Sequence, residues 1–304
     1  MTDARIPLAA WLDLLLLALL WGGSFLAIRT ALDEIGFLSS VTHRVLWAAL
    51  VLWIIVAWRR LPLPRSPRIW AAFLVMGCLN NVIPFSLMAW GQLSIETGLT
   101  AILNAATAIW AVIVAALVFP AERLTSRRAP GVFLGFLGVA IAIGLQNLTS
   151  FDIRSLAQIA VIAGTVSYAF AGSWARAKLS EQPPMVAAAG MLTGSTLVML
   201  PLAWMIEGPL PMKLEPQTWA AIAYYALAST ALAYILYYRI LAAAGAGNLL
   251  LVTLMIPPVA ILLGSWVRDE TLSPNAYFGF ALLAFGLLIL DGRLGHVFRK
   301  TTKG

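Results

Sequence analysis

The chain has 304 residues, of which 61% are hydrophobic and 11% charged, with a mean hydropathy of +0.89. About a quarter of the residues in a soluble domain are charged, so this composition excludes a water-soluble globular fold. The formal charge of +7 and pI near 9.9 come from cations spread over successive loops rather than gathered in one patch, which excludes a nucleic-acid interface.

At about 20 residues per span, the length holds about ten membrane helices and no separate soluble domain. Apolar runs cut by charged and Pro/Gly punctuation predict spans near 8–29, 38–58, 69–91, 97–118, 130–146, 156–178, 185–206, 217–240, 246–267 and 273–291. The first run, Leu8 to Leu20, has no small-residue cleavage site before Trp21 and reads as a retained helix rather than a signal peptide. The sharpest boundary is Arg59 to Arg68, with four arginines and three prolines. The softest is the turn after Arg239, marked only by the small residues Ala242 to Gly247. Cys78 is the single cysteine, so neither an intramolecular disulfide nor a thiolate metal site is available.

Lys and Arg are retained on the cytoplasmic side of a bilayer. With the N-terminus inside, the outer loops hold only Arg29, Arg154, Lys213 and Arg268 of the twenty Lys and Arg residues, and Arg44 lies within a span. The remaining fifteen fall on the inner side, and eight acidic residues collect outside, among them Asp33, Glu34, Glu96 and Glu270. Both termini are therefore expected in the cytoplasm.

A repeat underlies this pattern. Glu122, Leu124, Thr125, Gly131 and Gly138 recur as Glu270, Leu272, Ser273, Gly279 and Gly286 at an offset of 148 residues. Trp21 to Arg29 falls on Tyr168 to Arg176 at 147, and Trp90 on Tyr238 at 148. Residues 1–148 and 149–304 then form two five-helix repeats in one integrated domain. Five is odd, so equivalent helices run in opposite directions and the repeat is inverted. The glycines put small residues on neighbouring turns, which reads as close helix packing. Glu122 and Glu270, beside arginines at span ends, read as interfacial ion pairs or helix-start groups.

The Trp-Gly-Gly-Ser-Phe string at Trp21 to Phe25, with the duplicated Glu, Leu, Thr/Ser and spaced-Gly signature, resembles the EamA group of the drug/metabolite transporter superfamily. Within it the pattern is similar to the YddG-type bacterial amino-acid exporters. The resemblance implies ten helices with both termini inside, a central cavity lined by spans one to four and six to nine, and peripheral spans five and ten. One feature departs from the family pattern. Proline midway along the fourth and ninth spans is supplied by Pro257 and Pro258 in the second half, but Ile109 stands at the matching place in the first.

Polar groups within the hydrocarbon must be satisfied or serve a function. They are His43 and Arg44 in the second span, Asn80 and Asn81 in the third, Asn104 and Thr107 in the fourth, and Ser229, Thr230, Asn248 and Thr253 in the second half. Neighbours on a helix are about 100° apart, so at most one of Asn80 and Asn81 points into a cavity. For each group an interhelical hydrogen bond is the competing explanation. Deep aromatics are the other lining material; they suit stacking on apolar or aromatic substrate groups while amides hold a carboxylate or ammonium. The substrate-binding candidates are Trp21, Ser24, His43, Trp47, Asn80, Asn81, Phe85, Asn104, Trp110, Tyr168, Thr230, Tyr234 and Asn248.

Asp13 lies near the start of the first span and Asp291 ends the last, so no carboxylate is at mid-membrane, where ion-driven pumps usually carry one. His43 is the titratable group within the spans, with Glu34 or Glu96 as possible partners. The balance favours facilitated diffusion over proton antiport. His43 and His296 are the only histidines, and no HExxH helix or serine–histidine motif accompanies them, which argues against an intramembrane enzyme. The expected function is a bacterial inner-membrane exporter of small metabolites, amino acids including aromatic ones, working in the lipid bilayer without cofactor, metal or nucleic acid. A drug or lipid-linked-metabolite exporter on the same scaffold, with or without proton coupling, is the alternative, since fold does not determine substrate.

Overall fold

The computed structural model describes residues 7–119, 129–144, 153–249 and 251–290. No strand occurs among them. Eight helices are long and apolar enough to cross a bilayer: α1 (Leu8–Ala31), α2 (Phe37–Trp58), α3 (Pro67–Gly91), α4 (Thr97–Val118), α6 (Ile153–Lys178), α7 (Pro184–Glu207), α8 (Pro216–Gly245) and α9 (Leu251–Arg268). Two shorter apolar helices, α5 (Ala129–Ile143) and α10 (Pro274–Leu290), bring the described total to ten. Large apolar side chains such as Leu12, Leu19, Ile54, Trp58, Leu117, Phe133, Trp266 and Phe278 are exposed. An outward apolar surface of this kind is what lipid requires and water does not tolerate.

The helix pairing repeats itself when each helix is exchanged for the one five places on. Helix α1 packs on α8 and α9, and α6 packs on α3 and α4. Meanwhile α2 pairs with α7, α4 with α9, and α5 with α10. This is the contact pattern of a duplicated five-helix unit, and it places α5 and α10 against one another at the side of the bundle.

Glycine sets the closest approaches. In α5 and α10 a Cβ on Gly138 would lie 2.6 Å from the Gly279 carbonyl oxygen, and one on Gly131 would lie 2.7 Å from that of Gly286. Backbone meets backbone there, so the glycine signature serves packing. The Trp-Gly-Gly-Ser string serves the same end: Gly22 faces Val259 and Ile256 of α9, and Gly23 faces the Tyr224 ring of α8. Helix α1 is thereby wedged between two helices of the other half.

Three departures from regular helix interrupt the spans. Helix α3 contains a π segment at Cys78–Val82 and α8 a longer one at Tyr224–Leu232. The offset of 148 carries 78–82 onto 226–230, so the two irregularities are equivalent. Helix α4 tightens at Ala105 and Ala106, where Ala106 and Ile109 N–H groups bond carbonyls three residues back. That break falls in the half without the proline, whereas α9 runs continuously through Pro257 and Pro258. The proline is therefore not what interrupts these helices. The ninth span, expected from 246, is led by Gly245 in a left-handed conformation (φ 79), with the regular helix from Leu251.

Carboxylates tie the helix ends on the side where α1 ends and α2 begins. Glu207, at the end of α7, accepts the Leu38 and Ser39 N–H groups at 3.0 and 2.8 Å and so caps the start of α2. Glu270 accepts the Thr97 N–H at 2.9 Å and its hydroxyl at 2.8 Å, capping α4. The repeat glutamate is thus a helix-start group, though of a helix in the other half; Glu122, with Leu124, Thr125, Arg123, Arg127 and Arg128, lies outside the described residues. Arg268 forks onto Asp33 at 2.7 and 3.1 Å, with Arg29 at 3.1 Å from the same carboxylate, and Arg154 meets Glu96 at 2.7 Å. The Arg268 hydrogen bond, opposed by partial burial, holds the Asp33 carboxyl below its ordinary 3.8.

Two outcomes follow. Gly138→Ala lowers the thermal unfolding temperature in detergent by an amount equivalent to about 1–3 kcal/mol, whereas Gly172→Ala, whose Cβ meets nothing within 4 Å, leaves it unchanged. The depressed Asp33 group contributes stability that is fully present above 3.8 and lost as pH falls through its lower folded value. Asp33→Asn should therefore narrow the gap between unfolding temperatures at pH 6 and pH 3.

Candidate functional site

Helix α2 brings its Ser40–Arg44 face against the π segment of α8. The Ser40 hydroxyl donates to the Tyr225 hydroxyl at 3.2 Å, and Arg44 Nε donates to Thr230 Oγ1 at 3.0 Å. Thr230 in turn donates to the Tyr225 carbonyl five residues back, at 2.7 Å, a bond that the wider π turn provides. On the opposite side the Arg44 guanidinium lies over the Phe85 ring of α3, 3.9 Å from its centroid. The phenols of Tyr168 on α6 and of Tyr225 and Tyr234 on α8 interact electrostatically with the guanidinium. Phe85 and Tyr168 meet edge to face at 6.4 Å, and the Asn80 amide donates to the Tyr234 hydroxyl at 3.1 Å.

Tyr168 and Tyr234 are half-buried, whereas Phe85, Tyr225 and Thr230 are buried. Arg44 has only 9% of its surface accessible. No carboxylate among the described residues forms an ion pair with it. Taking a guanidinium out of water without a counter-charge costs several kcal/mol.

The sequence candidates divide into those that gather here and those that do not. Asn80, Phe85, Tyr168, Thr230 and Tyr234 converge on Arg44. The Asn81 amide donates to Ser195 of α7 at 2.8 Å, while its side-chain oxygen accepts from the Asn80 amide at 3.2 Å, so the two asparagines stay linked and only Asn80 reaches Tyr234. Trp21 donates to the Ser229 carbonyl at 3.1 Å, and Ser24 bonds back to the Trp21 carbonyl at 2.6 Å, both within the α1–α8 contact. His43 lies one position round the helix from Arg44, towards the segment between α7 and α8. Its Nε2 bonds the Pro211 carbonyl at 3.0 Å and its Nδ1 accepts from Trp47 Nε1 at 3.1 Å, so neither Glu34 nor Glu96 is its partner. Trp47 and His43 both lean on Trp219. Trp110 packs edge to face on Phe136 of α5 at 4.9 Å, and neither its indole N–H nor the Asn104 side-chain oxygen has a partner among the described residues. Asn248 donates to the Ala244 carbonyl at 2.8 Å beside the Gly245 break.

Arg44 itself stands outside the candidate set read from the sequence, as do Ser40, Tyr225 and both π segments. The signal for Arg44 was in the composition: a cation deep in a span, in a chain with no mid-membrane acid to neutralise it. No pattern in the sequence marks a π segment.

Because the Arg44 charge is uncompensated, Arg44→Met in the ligand-free protein is expected to hold or raise the unfolding temperature. A fall of more than a few degrees would assign the guanidinium a structural role.

Comparison with known proteins places this geometry. Residues 9–144 and 155–290 match the model of the EamA-like transporter family. The chain is 27% identical over 309 residues to a probable terminal-alkyne amino-acid exporter of Streptantibioticus cattleyicolor, covering 99% of each. It is 30% identical over 116 residues, 38% of each chain, to the uncharacterized transporter YwfM of Bacillus subtilis. A crystal structure superposes with a TM-score of 0.66 at 16% identity over 93% of this chain and 97% of that one, a likeness of fold. With both halves matched, the chain is a member of the EamA-like transporter family.

Proposed function

We propose that this transporter exports small metabolites, amino acids including aromatic ones among them, across the bacterial inner membrane by alternating access. The observation that carries the reading is the cluster in which one buried cation, one amide and several aromatic rings meet, from α2, α3, α6 and α8. An amino acid has complementary parts: a carboxylate for the guanidinium and a side chain for the rings. The amino-acid exporter that aligns end to end with this chain supports the same substrate class.

Transport down the substrate's own gradient fits the titratable groups. Asp13 is paired with Arg239 at 3.1 Å near one end of α1, and both ring nitrogens of His43 are engaged. Neither is poised to carry a proton through the centre. The positive-inside distribution favours an orientation with both termini cytoplasmic and residues 1–148 and 149–304 as the two inverted repeats. The Asp33–Arg268, Glu207–α2 and Glu270–α4 ties then close the outer side, and opening outward requires them to part.

Counterflow of labelled amino acids into liposomes holding the purified protein tests the proposal. Exchange is expected at the same rate with and without an imposed pH gradient. No exchange of any amino acid would overturn the substrate assignment. Uphill movement driven by the pH gradient and abolished by His43→Ala would overturn the facilitator mechanism.

A further inference from the structure

A guanidinium has five N–H donors. That of Arg44 spends the one on Nε on Thr230. Its terminal nitrogens meet no protein acceptor among the described residues, and they are not among the buried atoms sealed off without a partner. They therefore keep some accessible surface, with the fork free to receive a planar anion through two parallel bonds. Thr230 and the Phe85 ring fix the guanidinium from one edge and one face, so the fork is held ready rather than swinging.

No comparable receptor for a cation accompanies it. The groups around the guanidinium are phenols, hydroxyls, an amide and a phenyl ring, all without negative charge. The acidic side chains with described partners are engaged elsewhere: Asp33, Glu96, Glu207 and Glu270 at the helix ends, and Asp13 with Arg239. The nearest aromatic face, Phe85, already carries the guanidinium, so an ammonium placed on it would sit against a like charge. An α-ammonium gains only neutral acceptors here, while a carboxylate gains a charge-assisted bidentate pair in a site of low dielectric.

We propose that Arg44 makes this site a receptor for organic monocarboxylates bearing an apolar or aromatic group, for which an α-amino group is dispensable. Amino acids are then one subset of the substrates, and amines without a carboxylate are excluded. The inference rests on the transporter reading above but separates from it, because it predicts which half of an amino acid is read.

Calorimetric binding to the purified full-length chain in lipid nanodiscs tests it, with 3-phenylpropionate, phenylalanine and phenethylamine as probes. The expected order has 3-phenylpropionate binding at least as tightly as phenylalanine, and phenethylamine more than tenfold weaker than phenylalanine. Arg44→Gln weakens both acids by tenfold or more. Arg44→Lys, which keeps the charge without the fork, falls between. Thr230→Val, which frees the guanidinium to swing, gives a smaller loss for the acids and is the second variant should Arg44→Gln not fold. The panel on the unaltered protein also stands by itself. Phenethylamine within tenfold of phenylalanine, or acids held equally by Arg44→Gln, overturns the inference and leaves amino-acid export intact. Binding of 3-phenylpropionate without binding or exchange of any amino acid supports the inference and defeats the amino-acid reading. Binding of neither acid overturns both.

Discussion

Helices in a bilayer gain no hydrophobic drive from touching one another, because lipid tails are as apolar as the side chains they would replace. Such a bundle coheres through close approach and through hydrogen bonds that no water competes for. Both are visible here in their simplest form. Gly131 and Gly138 let α5 reach the bare backbone of α10 at Gly286 and Gly279, and Gly22 and Gly23 let α1 enter between α8 and α9. At the helix ends, where water does compete, charged caps and forked ion pairs take over, with Glu207 bonding the Leu38 and Ser39 N–H groups and Glu270 the Thr97 N–H and hydroxyl, each at the start of a helix in the opposite half. A carboxylate there meets both the unpaired donors and the positive end of the helix dipole.

The same constraint makes the centre informative. Polar side chains deep in the spans are mostly accounted for by protein partners: Asn81 by Ser195, Trp21 by the Ser229 carbonyl, Trp53 by Thr193, and His43 by Pro211 and Trp47. Arg44 is the exception that carries a charge. A buried cation with no counter-ion among the described residues is costly, and on the proposed reading a substrate that supplies the missing charge offsets that cost.

The two π segments connect that site to the architecture. They occupy equivalent positions in the two halves, on α3 and α8, and both face the cluster. In α8 the widened turn lets Thr230 bond the Tyr225 carbonyl while presenting its oxygen to Arg44. In α3 it carries Asn80 towards Tyr234 and Asn81 towards α7. A helix with a loosened turn at mid-depth also has a place to bend.

The number of spans and most of their limits were legible in the sequence, because hydrophobic length and charged punctuation are local properties. The glycine–glutamate repeat likewise announced a duplicated fold and its packing, since the offset of 148 needs no knowledge of neighbours. Phe85, Tyr168, Tyr234, Thr230 and Asn80 were legible as candidates by type and depth alone, and the structure gathers them near Arg44. What the sequence could not decide was partnership. His43 and Arg44 are adjacent, but a rotation of about 100° sends the histidine to the Pro211 carbonyl and the arginine to Thr230 and Phe85. Trp110 has the same type and depth as the site aromatics, yet it packs on Phe136 of α5. The caps by Glu207 and Glu270 join residues more than 160 positions apart. Composition and spacing determined that this chain is a duplicated helical membrane protein; only the tertiary structure decided which partners its polar groups find and that Arg44 meets no counter-charge among the described residues, because pairing depends on helices that are distant in sequence and adjacent only once the bundle has formed.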